Sequence, residues 1–352
     1  MTKTSAGNYF EDFAIGQTIT HATPRTISAG DVALYQGLYG SRFAVQSSAA
    51  FARAIGYPDA PVDDLLVFHV VFGKTVPDIS INAVANLGYA ECRFLAPVFI
   101  GDTLSARSTV IGLKENSNGR TGVVYARTEG FKADGTPVLT YVRWVMVNKR
   151  DPATPAPAAH LPELASTVAP SDIAISVPAG ALGAYDRALS GSRHGFNDYE
   201  LGEQIDHVDG ATLEEAEHQI ATRLYQNTAK IHFNQHAEGA GRFGRRLVYG
   251  GVVISIARAL SFNGLGNAFS VAGINAGRHL SPAFAGDTLY AWSQVLDKAA
   301  VSGRSDLGVL RLRLVAAKNM PCGQFPTEPA PAGPGTAGVV LDLDLWCVIP
   351  VL

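Results

Sequence analysis

The chain has 352 residues, 47% of them hydrophobic and 17% charged, with a formal net charge of −3. That length suits two ordinary domains, each able to bury a core, and the charge balance offers no basic footprint for nucleic acid. Three cysteines without metal spacing (Cys92, Cys322, Cys347), no membrane-spanning apolar run and an N-terminus without a signal-peptide core set the expectation of a cytoplasmic protein in a reducing compartment.

In chain order, a polar front segment, YFEDFAIGQTI (9–19), comes first, followed by YGSRFAVQ (39–46). LLVFHVVFGKTV (65–76) is apolar nearly all round and predicts a buried helix. RFLAPVFIGDTL (93–104) turns into a strand, and VLTYVRWVMV (138–147) has the β-branched and aromatic content of another. The prolines and alanines of 151–170 predict a semi-extended linker, taken to run over 151–192 between a first unit (1–150) and a second (193–352). The second unit opens on GFNDYELGEQI (195–205) and continues through YQNTAKIH (225–232) to Tyr249-Gly250-Gly251. VVISIARALSF (252–262) is its buried-helix candidate, with Asn263-Gly264 as a C-cap. RHLSPAFAGDTL (278–289) leads to a proline-rich stretch (326–338), expected as a surface loop. VVLDLDLWCVI (339–349), alternating Leu with Asp, is the last strand.

The two units are copies. Gly16 pairs with Gly202 at an offset of 186, and Arg93 with Arg278, Pro97 with Pro282 and Gly101 with Gly286 at 185. A constant offset over most of a unit marks a duplication. It sets Tyr39 against Tyr225, Ser41 against Asn227, Gln46 against His232, and Asp63-Asp64 against Tyr249-Gly250. One buried helix wrapped by an antiparallel sheet, twice over, is an α+β architecture. Edge-to-edge pairing of the two sheets would remove two exposed edges.

A polar entry, a Tyr seven residues before a His, a Gly-Gly-led apolar helix and P-x-x-x-G-D-T-L together resemble the MaoC-like (R)-specific enoyl-CoA hydratases of hot-dog fold, over nearly the whole chain. The resemblance implies a tandem, or double, hot-dog. In that family's G-D-x-N-P-x-H motif, Asp and His are the catalytic pair. Here the Gly position holds Gln226, Asp is Asn227, Asn is Ala229, Pro is Lys230, and His alone survives as His232. The run NTAKIHFNQHAEGAGRFGRRLVYGG (227–251) is similar to mesaconyl-CoA hydratases, which interconvert mesaconyl-CoA and β-methylmalyl-CoA. This implies a hydro-lyase acting on an acyl-CoA, with no cofactor beyond the substrate's own CoA; the nine histidines show no metal-ligand spacing, so no metal is expected.

Hydration of an enoyl thioester needs an activated water at Cβ, a proton at Cα and stabilisation of the thioester oxygen. His232 is the proton-transfer candidate. Asn227 cannot ionise, but its amide can hold a water, or else form a turn. The Gly250 amide, at a helix N-terminus, is the oxyanion candidate, a role the family's glycine at this spacing suggests; Gly251 lets a ligand approach the backbone. Tyr225 and Tyr249 are expected at the substrate. Arg245, Arg246 or Arg242 would read a substrate carboxylate or a CoA phosphate. A second acid is left open among Glu238, His236, Asp63 and Asp64, and one group serving both proton steps is the alternative. With Ser41, Gln46 and Asp64 at the corresponding places, the first copy is expected to be a scaffold.

GAGRFG (239–244) matches a dinucleotide-binding pattern without the strand before it or the helix after it. Asp102 and Asp287 read as turn residues that open strands. A fatty enoyl-CoA hydratase, a non-catalytic acyl-CoA-binding subunit and a thioesterase are the competing functions. A homodimer of such fused pairs is compatible with the layout.

Overall fold

The computed structural model describes residues 3–321 and 323–352; Met1, Thr2 and Cys322 lie outside it. Ten strands form one sheet: β1 (Thr18–Thr26), β2 (Ala83–Phe94), β3 (Thr103–Glu115), β4 (Thr121–Lys132), β5 (Pro137–Asn148), β6 (Gln204–Thr212), β7 (Ser270–His279), β8 (Thr288–Ala300), β9 (Leu307–Lys318) and β10 (Gly338–Pro350). Their spatial order is β1-β3-β4-β5-β2-β7-β10-β9-β8-β6. The second five repeat the order of the first five about the β2–β7 seam. That seam is antiparallel, with Ala90 opposite Ala276 and Cys92 opposite Ile274. Edge-to-edge joining therefore buries one edge of each half. The remaining edges, β1 and β6, are interrupted by register shifts, which blunt them against pairing with another chain.

Each half wraps a core helix, Asp64–Thr75 in the first and Gly250–Leu260 in the second. Every residue from Leu65 to Thr75 is buried, as the all-round apolar sequence requires. Asp63 caps the first helix by accepting from Leu65 N–H at 2.9 Å. The second ends as expected near Asn263-Gly264, where Gly264 adopts φ +104°. In β10 the Leu–Asp alternation sorts by face. Leu341, Leu343 and Leu345 enter the core, while Asp342 and Asp344 meet Arg313 and Arg311 at 2.9 and 2.6 Å on the outer face.

Equivalent positions bond to each other on the pseudo-twofold axis. Tyr225 donates its hydroxyl to that of Tyr39 at 2.6 Å, and His69 Nε2 meets Ser255 Oγ at 3.1 Å. Both pairs are 186 residues apart. The Gly-Asp turns are structural: Asp102 accepts from Phe99 N–H, Asp287 from Phe284 N–H, and each meets a lysine of the neighbouring strand, Lys132 or Lys318.

Two segments do more than their composition predicts. Residues 151–192 are not a free spacer but a strap clamped across the molecule. Val168 N–H donates to Asn275 at 2.7 Å, Trp346 Nε1 donates to Val168 O at 3.1 Å, and Ile173, Val177, Leu182 and Tyr185 are buried against Phe51, Phe269 and Trp346. The proline-rich 326–338 loop folds back on the second half. Ala330 is buried, and Gly333 O accepts from Lys318 Nζ at 2.8 Å. Among the described residues, no helix is long and apolar enough to cross a membrane.

Candidate active site

The 225–251 stretch wraps one end of the second core helix. Helix Glu215–Leu224 stops at Tyr225, and Asn227 N–H donates back to Thr222 O. Asn227 Oδ1 then accepts from Ala229 N–H at 3.0 Å, closing an Asx turn that starts the one-turn helix Lys230–Phe233. This turn carries His232. Its Nδ1 lies 2.9 Å from Leu247 O, and a carbonyl can only accept, so Nδ1 holds the proton and Nε2 keeps its lone pair. The imidazole packs on Tyr249, ring centres 5.5 Å apart. Burial pushes its pKa down to about 4, so it is neutral at pH 7.

Leu247 and Val248 lie on the far side of the turn, tied by Leu247 N–H to Ile231 O and Val248 N–H to Ala283 O. Tyr249 is the N-cap of the core helix and Gly250 its first residue. First-turn amides have no acceptor within their helix and carry the positive end of its dipole.

Asn227, His232, Tyr249 and Gly250 line one cavity of about 480 Å³. It opens between the halves. Phe72, Ser80, Ala83–Asn86, Tyr89 and Arg143 come from the first, and Arg242, Phe243, Val253, His279–Ala283 and Ala332 from the second. One chain thus supplies all of this lining. Ala332 belongs to the proline-rich loop, so that loop is part of the site as well as of the surface.

Several expectations need correction. Tyr225 is fully buried with its hydroxyl held by Tyr39, and it does not line the cavity. Gly251 faces His69 and the Tyr249 ring, not ligand: a Cβ there would lie 2.7 Å from His69. Arg246 is consumed by Glu215 at 2.5 Å and by Phe233 O, and Arg245 donates to Ala285 O at 2.9 Å. Neither lines the cavity, whereas Arg242 does, exposed at its rim. None of the proposed second acids reaches it. Glu238 and His236 lie on the short helix Gln235–Gly239, Asp63 caps the first core helix, and Asp64 accepts from Ser270 Oγ and Val271 N–H. Among the described residues, no carboxylate lines the cavity.

Among the polar lining residues that the sequence analysis does not single out are His279 and Arg143. His279, at the end of β7, stands against Gly250: a Cβ on that glycine would come within 2.3 Å of the imidazole. Gly250 is therefore required by a neighbouring ring. His279 Nε2 lies 3.3 Å from the Tyr89 hydroxyl, and burial holds its pKa near 4. A signal existed, since the repeat puts His279 where the first copy has Phe94, an imidazole present in the second copy alone, as at His232 against Gln46. Arg143 stood out only as one charge in an apolar strand, which ordinarily means an outward residue.

A family model described as mesaconyl-CoA hydratase matches residues 1–323. The chain belongs to the mesaconyl-CoA hydratase family. It is 59% identical to the β-methylmalyl-CoA dehydratase of Chloroflexus aurantiacus over 99% of this chain and 98% of that protein. A solved MaoC-domain dehydratase from the same organism superposes with a TM-score of 0.96 at 58% identity, covering 100% of both chains. A double hot-dog protein from Mycobacterium tuberculosis matches with a TM-score of 0.76 at 27% identity over 97% and 98% of the two chains. This mesaconyl-CoA hydratase family member is thus a double hot-dog whose motif departs from the Asp–His pair of the wider fold.

Proposed function

We propose that the chain catalyses reversible hydration of mesaconyl-CoA to β-methylmalyl-CoA, the reaction named by its family and by its Chloroflexus relative. The observation that carries this reading is the pairing, in one cavity, of a neutral imidazole with the N-terminus of the core helix; among the described residues the imidazole Nε2 has no hydrogen-bond partner and no carboxylate lines the cavity. His232 Nε2 takes a proton from water as the oxygen bonds to Cβ. The π electrons move toward the thioester carbonyl, whose oxygen is met by the Gly250 N–H. The imidazolium then returns the proton to Cα, and the C=C bond has become C–OH and C–H. A single imidazole serves both steps, which places the two additions on one face of the double bond. Asn227 Oδ1 is engaged with Ala229, while its Nδ2 donates to no protein group among the described residues and serves to hold the water.

Addition of water is redox-neutral, so the reaction as proposed calls on no cofactor beyond the substrate's CoA. Arg242 at the rim is placed for a CoA phosphate. Both walls of the cavity come from one chain. The substrate class fits a cytoplasmic enzyme.

The test is loss of enoyl-thioester absorbance with mesaconyl-CoA and, in parallel, crotonyl-CoA. Preferential turnover of mesaconyl-CoA is expected. Equal turnover would mark a general enoyl-CoA hydratase, release of free CoA a thioesterase, and binding without turnover a non-catalytic subunit. Any of these three outcomes ends the proposal.

A further inference from the structure

Arg143, on β5 of the first half, is wholly buried. Its Nη2 donates to Thr75 Oγ1 at 2.7 Å and to Ser80 Oγ at 3.3 Å, both neutral acceptors. Nε is enclosed without a partner, and Nη1 donates to nothing among the described residues. The ionisable groups coupled to the guanidinium are the hydroxyls of Tyr89, Tyr141 and Tyr249 and the His21 imidazole, with no carboxylate among them. Other buried cations are treated differently. Lys318 pairs with Asp287 and Lys149 with Glu115, while Arg258 shares the field of Asp63 and Asp64. Lys74, which lacks a carboxylate too, is pushed down by burial to about 8 and can shed its proton. A guanidinium cannot. A buried, uncompensated cation is costly, and two hydroxyls do not neutralise it.

Arg143 lines the same cavity as His232 and Gly250. Its guanidinium carbon lies 4.2 Å from the centre of the Phe72 ring, and that ring is 5.8 Å from Tyr249, the residue before Gly250. Arg143 and Tyr249 thus pack against one ring, Phe72, in the lining of that cavity.

We infer that Arg143 binds the free carboxylate of a dicarboxylic enoyl-CoA through the guanidinium edge left unpartnered by the protein. The inference rests on the function proposed above and names the residue that selects its substrate class. In mesaconyl-CoA the carbon attacked by water carries that carboxylate. Holding it would fix Cβ before the water and neutralise a charge that otherwise repels an oxygen nucleophile.

Binding and turnover are measured separately on the full chain, as wild type and as Arg143→Gln. Succinyl-CoA and butyryl-CoA, two unreactive thioesters of equal chain length, are titrated first. The wild type is expected to prefer succinyl-CoA by roughly 10²-fold, and the variant to lose most of that preference. In turnover, kcat/KM for mesaconyl-CoA should fall about 10²-fold while that for crotonyl-CoA stays within about threefold. Equal falls for both substrates would mean a structural role and overturn the inference. So would a wild type that binds butyryl-CoA as tightly as succinyl-CoA, a result that needs no variant to fold. A succinyl-CoA preference lost in Arg143→Gln, together with no hydration of mesaconyl-CoA by the wild type, would keep the carboxylate site and sink the proposed reaction instead.

Discussion

The two halves carry the same site position twice, and only one of them is open. In the second half His232, Gly250 and His279 surround a cavity of about 480 Å³. Their counterparts, Gln46, Asp64 and Phe94, meet around a space of about 20 Å³. Gln46 donates to Phe269 O at 2.8 Å, and the Asp64 carboxylate is spent on Ser270 and Val271. Ala174 and Ser176 of the strap line what is left. The 151–192 segment closes over the first copy, whereas the proline-rich loop borders the second without filling it. A duplicated fold therefore does not imply a duplicated site. The first copy is instead packed protein at this position, and its half supplies Phe72, Tyr89 and Arg143 to the wall of its twin.

Converting the open site residue by residue into the closed one tests this comparison. His232→Gln installs the first copy's side chain, keeps a polar group and removes the titratable nitrogen. Hydration of mesaconyl-CoA should drop about 10³-fold with little change in KM, and a kcat within tenfold of wild type would remove His232 from the chemistry. His69→Ala is the control, because His69 is buried behind Gly251 outside the cavity; a loss as large as that of His232→Gln would refute the assignment.

Gly250→Asp should cost about 10²-fold or more, since its Cβ collides with His279 and its charge opposes the growing oxyanion. Gly250→Ala isolates the steric part, and an alanine variant as active as wild type would contradict the fit described here. Asn227→Asp is expected to lower activity by about tenfold, because an ionised carboxylate offers no N–H to the water. Higher activity in that variant would show that a carboxylate was the better group and that the role given to Asn227 is wrong.

The smallest effect is one of pH, and its sign differs between the halves. His232 and His279 have native pKa values near 4, below the unfolded value of roughly 6.5. Their contribution is present at neutral pH and is lost as pH falls from about 6.5 toward 4. Asp64 is pushed the other way, up to about 7, chiefly by burial and then by Asp63. Its contribution is present at low pH and is lost as pH rises through about 7. Asp64→Asn should therefore raise the melting temperature by roughly 2–4 °C more at pH 8.5 than at pH 5. A gain independent of pH would dissociate Asp64 from this account. In activity, an acid limb near pH 4 is expected as His232 protonates.

Much of this molecule was legible without coordinates. The 186-residue offset exposed the duplication, and the apolar runs at 65–76 and 252–262 marked both core helices to within two residues. The edge-to-edge joining followed from the need to cover sheet edges. The contrast of Gln46 with His232 singled out the imidazole. The repeat also sets Phe94 against His279, just before the P-x-x-x-G-D-T-L turn motif. Arg245 and Arg246 were misjudged because adjacency to a glycine turn in sequence says nothing of which way a side chain leaves the backbone. Glu215, 31 residues before Arg246, claims it.

The sequence by itself determined the twofold repetition, the α+β unit and the choice of His232, because periodicity and repeat comparison are properties of the linear chain. Only the tertiary structure decided which cleft is open, which buried arginine is left without a carboxylate partner, and that no carboxylate among the described residues lines the cavity of the imidazole. Those depend on residues brought together across the β2–β7 seam and under the strap, and pairing, burial and free volume exist only once distant segments share one space.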